Sequence, residues 1–195
     1  MKDKFNRIIP RKNTSSVKWD MLKDYYGSED LIPLWVADMD FQSPESVISD
    51  LRKKAEFGIY GYTTLMYSYY DSIINWFKKR HDFTIKKDWI VHCPGVVPAI
   101  NMLIQALTDE NDKIIIQPPV YYPFMNSVVN NSRKLSQNSL IFDNGKYHID
   151  FNDFENKAKH IDTRMFILCS PHNPVGRVWT REELLKLVKS AMTMM

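Results

Sequence analysis

From Asp88 onward, short apolar runs alternate with segments of helical period, and that alternation leaves few folds open. Trp89 to Cys93 reads as a short buried strand, and Pro94-Gly95 then turns into a helix with Val97, Ile100, Ile104 and Leu107 on its inner face. Ile114-Ile115-Ile116 is a continuous apolar run, as expected of a strand covered on both faces. A helix from near Tyr122, a strand over 134–140 and a hairpin-like excursion over 142–149, around Asp143-Asn144-Gly145, follow. A short helix over 151–158 then leads to a strand over 165–169. Thr180 with Glu183 three residues later is a capping-box signature, opening a last helix through Leu184, Leu187, Val188 and Ala191. The pattern predicts an α/β fold with a mainly parallel sheet and flanking helices.

Upstream, residues 1–43 read as an irregular N-terminal arm or small-domain segment with scattered aromatics (Trp19, Tyr25, Tyr26, Trp35), and residues 44–195 as the main domain. Ser43 is the expected cap of a first helix. Pro44 suits that helix's first position, Val47, Ile48, Leu51 and Ala55 form its apolar stripe, and Gly58 ends it. A second helix puts Met66, Tyr70, Ile73 and Phe77 on one face.

Composition narrows the function classes. The chain is 44% hydrophobic and 25% charged, with a net charge of +3 that is too small and dispersed to indicate nucleic acid. Its densest basic cluster, Lys78 to His81, complements the C-terminal dipole of a helix. No run approaches the roughly 20 apolar residues that span a membrane, and the start lacks the apolar core of a signal peptide, so the expected location is cytoplasmic. Cys93 and Cys169 read as reduced, buried thiols. The five histidines (81, 92, 148, 160 and 172) lack metal-ligand spacing and read as surface or loop residues.

Three turns could carry chemistry. Pro94-Gly95-Val96-Val97-Pro98 ends a strand and opens a helix, whose free N–H groups and positive end suit a phosphate. Pro118-Pro119-Val120-Tyr121-Tyr122-Pro123-Phe124 follows the next strand, where Tyr121 could stack on a flat heteroaromatic ligand. Ser170-Pro171-His172-Asn173-Pro174-Val175-Gly176 follows another, where the proline-flanked Asn173 amide is a stiff donor for a phenolate oxygen. Taken alone, each is first a connector. Three such turns after three separate strands make coincidence much less attractive.

With Lys18-Trp19-Asp20, Trp35-Val36-Ala37-Asp38-Met39-Asp40-Phe41 and Gly58-Ile59-Tyr60-Gly61-Tyr62-Thr63, these turns resemble the N-terminal part of fold-type I pyridoxal-phosphate (PLP) enzymes of the class I/II aminotransferase superfamily. More narrowly, they resemble its MalY/PatB branch of cystathionine β-lyases (C–S lyases). Val175 stands where ordinary aminotransferases usually have threonine. The resemblance implies an incomplete PLP-transferase-like large domain preceded by an arm. It also implies that the Val96 and Val97 amides hold the cofactor phosphate, that Tyr121 stacks on the ring, and that Asn173 bonds the ring's 3-oxygen. Tyr62 would reach the phosphate of the neighbouring subunit in a homodimer, and Trp35, Ala37 and Asp38 would lie near an amino-acid substrate. The implied reaction is β-elimination to a thiol, pyruvate and ammonia.

No Ser-x-Ser-Lys segment with the Schiff-base lysine occurs, and Lys186 and Lys189 fall on a solvated helix face. The partner Asp of the pyridine nitrogen and a C-terminal Arg for the substrate carboxylate are also missing. The last helix runs into Ser190–Met195 without a cap or a following strand, so the chain reads as cut. The expectation is a fragment of a C–S β-lyase, inactive alone, with weak PLP binding or none and no catalytic residue of its own. Two alternatives stay open: a fragment of an aminotransferase, or a non-catalytic product acting by binding or dimerisation.

Overall fold

The computed structural model describes residues 5–192, and the chain divides into two compact units, Met1–Met66 and Tyr67–Met195.

The second unit holds the sheet. Three parallel strands lie in the order β2 (Lys134–Gln137), β1 (Lys113–Ile116), β5 (Thr163–Phe166), with Ile114 opposite Leu135 and Met165, and Ile115 opposite Ser136 and Phe166. Successive side chains of a strand point to opposite faces, and the isoleucine run uses both. Ile114 packs with Ile104 and Val128, under α5 (Val96–Leu107) and α6 (Pro123–Asn130). Ile115 packs with Phe154 and Leu187, under α7 (Phe151–Ala158) and α8 (Arg181–Ala191). The sheet is therefore covered on both faces, as the unbroken apolar run requires.

Local signals placed the other elements well. Strands β3 (Ile141–Asp143) and β4 (Lys146–His148) form an antiparallel hairpin. Asn144 and Gly145 at its tip have φ of 47° and 76°, the pair of positive values that a tight two-residue turn needs. Asp150 caps α7 by accepting from the Asp153 N–H, and Thr180 and Glu183 close the expected capping box on α8.

Several expectations need correction. Residues 89–93 form no strand: a one-turn 3₁₀ helix, Lys87–Trp89, is followed by extended chain, and Val91 is exposed. A strand exists only where a neighbour completes its hydrogen-bond ladder, and among the described residues none lies alongside. Leu107 is exposed rather than inward, because a 12-residue helix, about 18 Å long, overhangs strands of about 13 Å. The third strand is also displaced, beginning at Thr163 rather than Met165 and ending as a ladder at Phe166. Finally, His172 is a core residue, 1% exposed, and the two cysteines are half-buried rather than buried.

Helix α4 (Tyr67–His81) carries Lys78 to His81 in its last turn as expected, and it has no buried residue. Among the described residues no helix is long and apolar enough to cross a membrane, and no cluster of His, Cys, Asp and Glu could hold a metal ion.

The first unit contains α1 (Val17–Asp20), α2 (Leu22–Tyr26) and α3 (Glu45–Phe57). Pro44 rather than Ser43 is the N-cap of α3, because the Pro44 backbone is extended (ψ 142°) and the helix starts one residue later. Gly58 ends α3 with a left-handed φ of 70°, a conformation that favours glycine. The predicted stripe of α3 is not covered: Val47 and Leu51 are exposed. Elsewhere the unit is held by charge. Arg11 donates to the carboxylates of Asp38 and Asp40 at 2.6 and 2.9 Å, while the buried Lys18 donates to Asp40 at 2.8 Å and to the Asp38 carbonyl at 2.9 Å. Trp19 Nε1 adds a third donor to Asp40 at 2.8 Å.

Candidate cofactor and substrate site

Three loops converge at the C-terminal edge of the parallel sheet. The loop after β1 carries Tyr121 and the loop after β5 carries Asn173; the two strands are neighbours, so their loops leave the same edge side by side. The start of α5 reaches that edge as well. Asn101 Nδ2 donates to Ser127 Oγ at 3.0 Å and Gln105 Nε2 to Asn131 Oδ1 at 2.6 Å. These contacts step four residues along both helices, so α5 and α6 run in the same direction. The α5 start is thereby level with the α6 start, directly after Tyr121 and Tyr122.

The first turn of α5 fits an anion. Gly95 caps it without a side-chain hydrogen bond, and the turn contains no acidic residue. The Ala99 N–H is bound to the Gly95 carbonyl at 3.1 Å and Pro98 has no N–H, so among the described residues the unpaired amides are those of Val96 and Val97. Asn101 Nδ2 steadies this turn by donating to the Val97 carbonyl at 2.9 Å.

Tyr121 is part-exposed, its ring edge-on to Phe124 at 6.1 Å and tilted against Tyr122 at 5.6 Å. Asn173 is exposed, and its side-chain amide has no hydrogen-bond partner among the described residues. Its backbone N–H donates to Cys169 Sγ at 3.3 Å. The Pro118–Pro119, Ser170–Pro171 and Asn173–Pro174 peptide bonds are cis. The donor set therefore matches a phosphorylated aromatic ring with an oxygen substituent: two amides, an aromatic face and a free carboxamide.

Unit one holds the remaining predicted residues. Trp35 packs its ring against Tyr25 and Tyr26, at 5.1 and 5.5 Å, and donates from Nε1 to the Lys18 carbonyl at 3.2 Å. Ala37 and Asp38 are exposed, with the Asp38 carboxylate engaged by Arg11. Tyr62 is fully exposed.

The model of "Aminotransferase class I and II" matches residues 29–194. The chain belongs to this family. Within the family, it is 43% identical over 183 residues to the cystathionine β-lyase PatB of Bacillus subtilis strain 168, covering 94% of this chain and 47% of PatB. A PLP-bound structure from Clostridium difficile 630, provisionally called an aminotransferase, superposes with a TM-score of 0.92 at 50% identity, over 97% of this chain and 49% of that one. Cystalysin from Treponema denticola, which contains pyridoxal 5'-phosphate, superposes with a TM-score of 0.89 at 38% identity, over 95% and 48%. The family member described here spans about half the length of these relatives.

Sequence reasoning missed two buried groups behind the site. His172 Nε2 lies 3.1 Å from the Pro119 carbonyl, and burial pushes the ring's pKa below its ordinary 6.5 against the opposing pull of the Pro119, Gln117 and Cys169 carbonyls. Gln117, 1% exposed at the end of β1, donates to Asn138. Both are polar residues next to a ligand-type turn, which was the available signal, but their partners are distant in sequence.

Proposed function

We propose that this chain is the N-terminal portion of a PLP-dependent C–S β-lyase, an enzyme that releases a thiol, pyruvate and ammonia from a cystathionine-type amino acid. The observation that carries the reading is the convergence of unpaired Val96 and Val97 amides, the Tyr121 ring and the free Asn173 amide on one sheet edge. The lyase assignment is supported by the names of relatives such as PatB and by the Ala37-Asp38-Met39-Asp40-Phe41 and Gly61-Tyr62-Thr63 segments.

Val96 and Val97 donate their N–H groups to the cofactor phosphate, helped by the positive end of α5. Tyr121 covers one face of the ring, and Asn173 donates to its ring oxygen. Bound PLP supplies an electron sink for charge developing at the substrate α-carbon. Trp35, Ala37 and Asp38 line the substrate, with Arg11 and Lys18 fixing that segment. Tyr62, fully exposed here, reaches the phosphate of a neighbouring subunit in a cytoplasmic homodimer.

The proton-abstracting, cofactor-anchoring lysine is not among these 195 residues, so the chain alone is inactive and binds PLP weakly. The test is pyruvate release from L-cystathionine by the purified chain with added PLP. The expected rate equals that of buffer with PLP, and a rate above it refutes the reading. A parent aminotransferase is the second reading, favoured by the Clostridium difficile neighbour. Transfer of the amino group from substrate to a keto acid, without thiol release, by an enzyme carrying this sequence in full would establish it instead.

A further inference from the structure

We infer that His172 is a positioning residue: its buried ring ties the loop carrying Tyr121 to the loop carrying Asn173, so that both side chains are held at one spacing. The reading of those side chains as cofactor contacts is the one proposed above.

His172 sits between an exposed proline and an exposed asparagine, yet it is 1% exposed itself. A carbonyl oxygen only accepts, so Nε2, 3.1 Å from the Pro119 carbonyl, carries the proton. Nδ1 is buried without a partner. Burial disfavours the charged form that a second proton would create, which leaves the ring neutral with its hydrogen on Nε2. The other side of the ring meets Trp179 edge-on at 5.3 Å, and Trp179 Nε1 is fixed to the Cys169 carbonyl at 2.9 Å. The ring is thus clamped between the two loops.

The backbone carries the constraint onward. The His172 N–H donates to the Arg177 carbonyl at 2.7 Å and the Gly176 N–H to the His172 carbonyl at 2.8 Å, closing the loop that presents Asn173. Without the histidine link, the nearest ladder bond between the strands is Ile167 N–H to the Ile115 carbonyl. From there, six residues separate Ile115 from Tyr121 and six separate Ile167 from Asn173 (121 − 115 and 173 − 167). The link shortens this path to two residues on one side and one on the other (121 − 119 and 173 − 172).

Hydrogen–deuterium exchange on the full chain tests the coupling, using His172→Phe, which keeps a ring but loses the donor, and His172→Gln, which keeps a donor. In His172→Phe, segments 118–124 and 170–177 should both exchange about tenfold faster while 113–116 stays unchanged, and His172→Gln should retain most of the protection. Acceleration confined to 170–177, or none, overturns the inference. If His172→Phe also loosens 113–116, the unmutated chain decides. Long-range ¹H–¹⁵N correlation at pH 8 must show the Nε2–H form, and an Nδ1–H form overturns the inference. Exchange at a PLP concentration high enough to load a weak site separates the two readings: lack of protection at Val96 and Val97 even there defeats the cofactor reading, while the loop coupling is judged on the variants and the tautomer alone.

Discussion

Gln117 Nε2 donates to Asn138 Oδ1 at 2.9 Å, with both side chains shielded from water. Asn138 in turn donates to the Asp150 carbonyl at 2.9 Å and to the Asp153 carboxylate at 2.8 Å. This chain of bonds fastens the start of α7 to the site edge of the sheet. Replacing Asn138 with Leu leaves the buried Gln117 amide without a partner, while the Asp150 carbonyl keeps the Phe154 N–H. The expected loss is about 1–3 kcal/mol for an unsatisfied buried group, measured by urea unfolding. A loss under about 0.5 kcal/mol would show that this network does not fasten α7.

Phe154 is fully buried and meets Phe166 edge-on, with ring centroids 4.8 Å apart. It joins α7 to β5, the strand that delivers Asn173. Phe154→Ala should destabilise the second unit by about 3–5 kcal/mol, through lost burial and the cavity left behind. Thermal unfolding checks this, and a shift of less than a few degrees would contradict the assignment of Phe154 to the core.

Thr180 Oγ1 accepts from the Glu183 N–H at 3.2 Å, and Glu183 returns to the Thr180 N–H at 2.8 Å while accepting from Arg177 at 3.0 Å. Thr180→Ala should cost about 1 kcal/mol by removing the cap. Thr180→Ser should restore most of it, and equal stability of the two variants would contradict the capping role.

Within unit one, acid acts on the segment held by Asp40 and Asp20. The hydrogen bond from Lys18, followed by that from Trp19, lowers the Asp40 pKa below its ordinary 3.8; the Asn13 N–H, followed by other loop amides, does the same for Asp20. A carboxylate with a depressed folded pKa contributes stability that is complete above its unfolded value and is lost as the pH falls through its folded value. The Trp19 indole N–H resonance, bonded to Asp40 at 2.8 Å, should therefore hold steady down to pH 3.8 and move only below it. A transition centred above 3.8 would contradict the network. His172 has the same sign at higher pH, because its depressed pKa makes its contribution complete above 6.5 and declining below it.

The elements legible in the sequence were those decided by local chemistry. Ile114 to Ile116 could only be a doubly covered strand, Asn144-Gly145 a tight turn, and Thr180 with Glu183 a helix start. The turns at Tyr121 and Asn173 were legible from turn residues placed after strands, whereas the roles of Val96, Val97, Tyr121 and Asn173 came from the family resemblance. What escaped depends on distant partners. Trp89 to Cys93 has strand composition without a neighbouring ladder, Leu107 lies past the reach of the sheet, and His172 is buried only because Pro119 and Trp179 close over it.

The central claim is that this chain supplies non-covalent PLP contacts without the lysine that anchors the cofactor. The direct test is incubation with PLP, borohydride reduction and peptide mapping by mass spectrometry. The account predicts no lysine labelled in preference to the others, with any adduct scattered over exposed lysines such as Lys186 and Lys189. Stoichiometric labelling of one lysine would contradict it, because the chain would then hold a complete anchoring site.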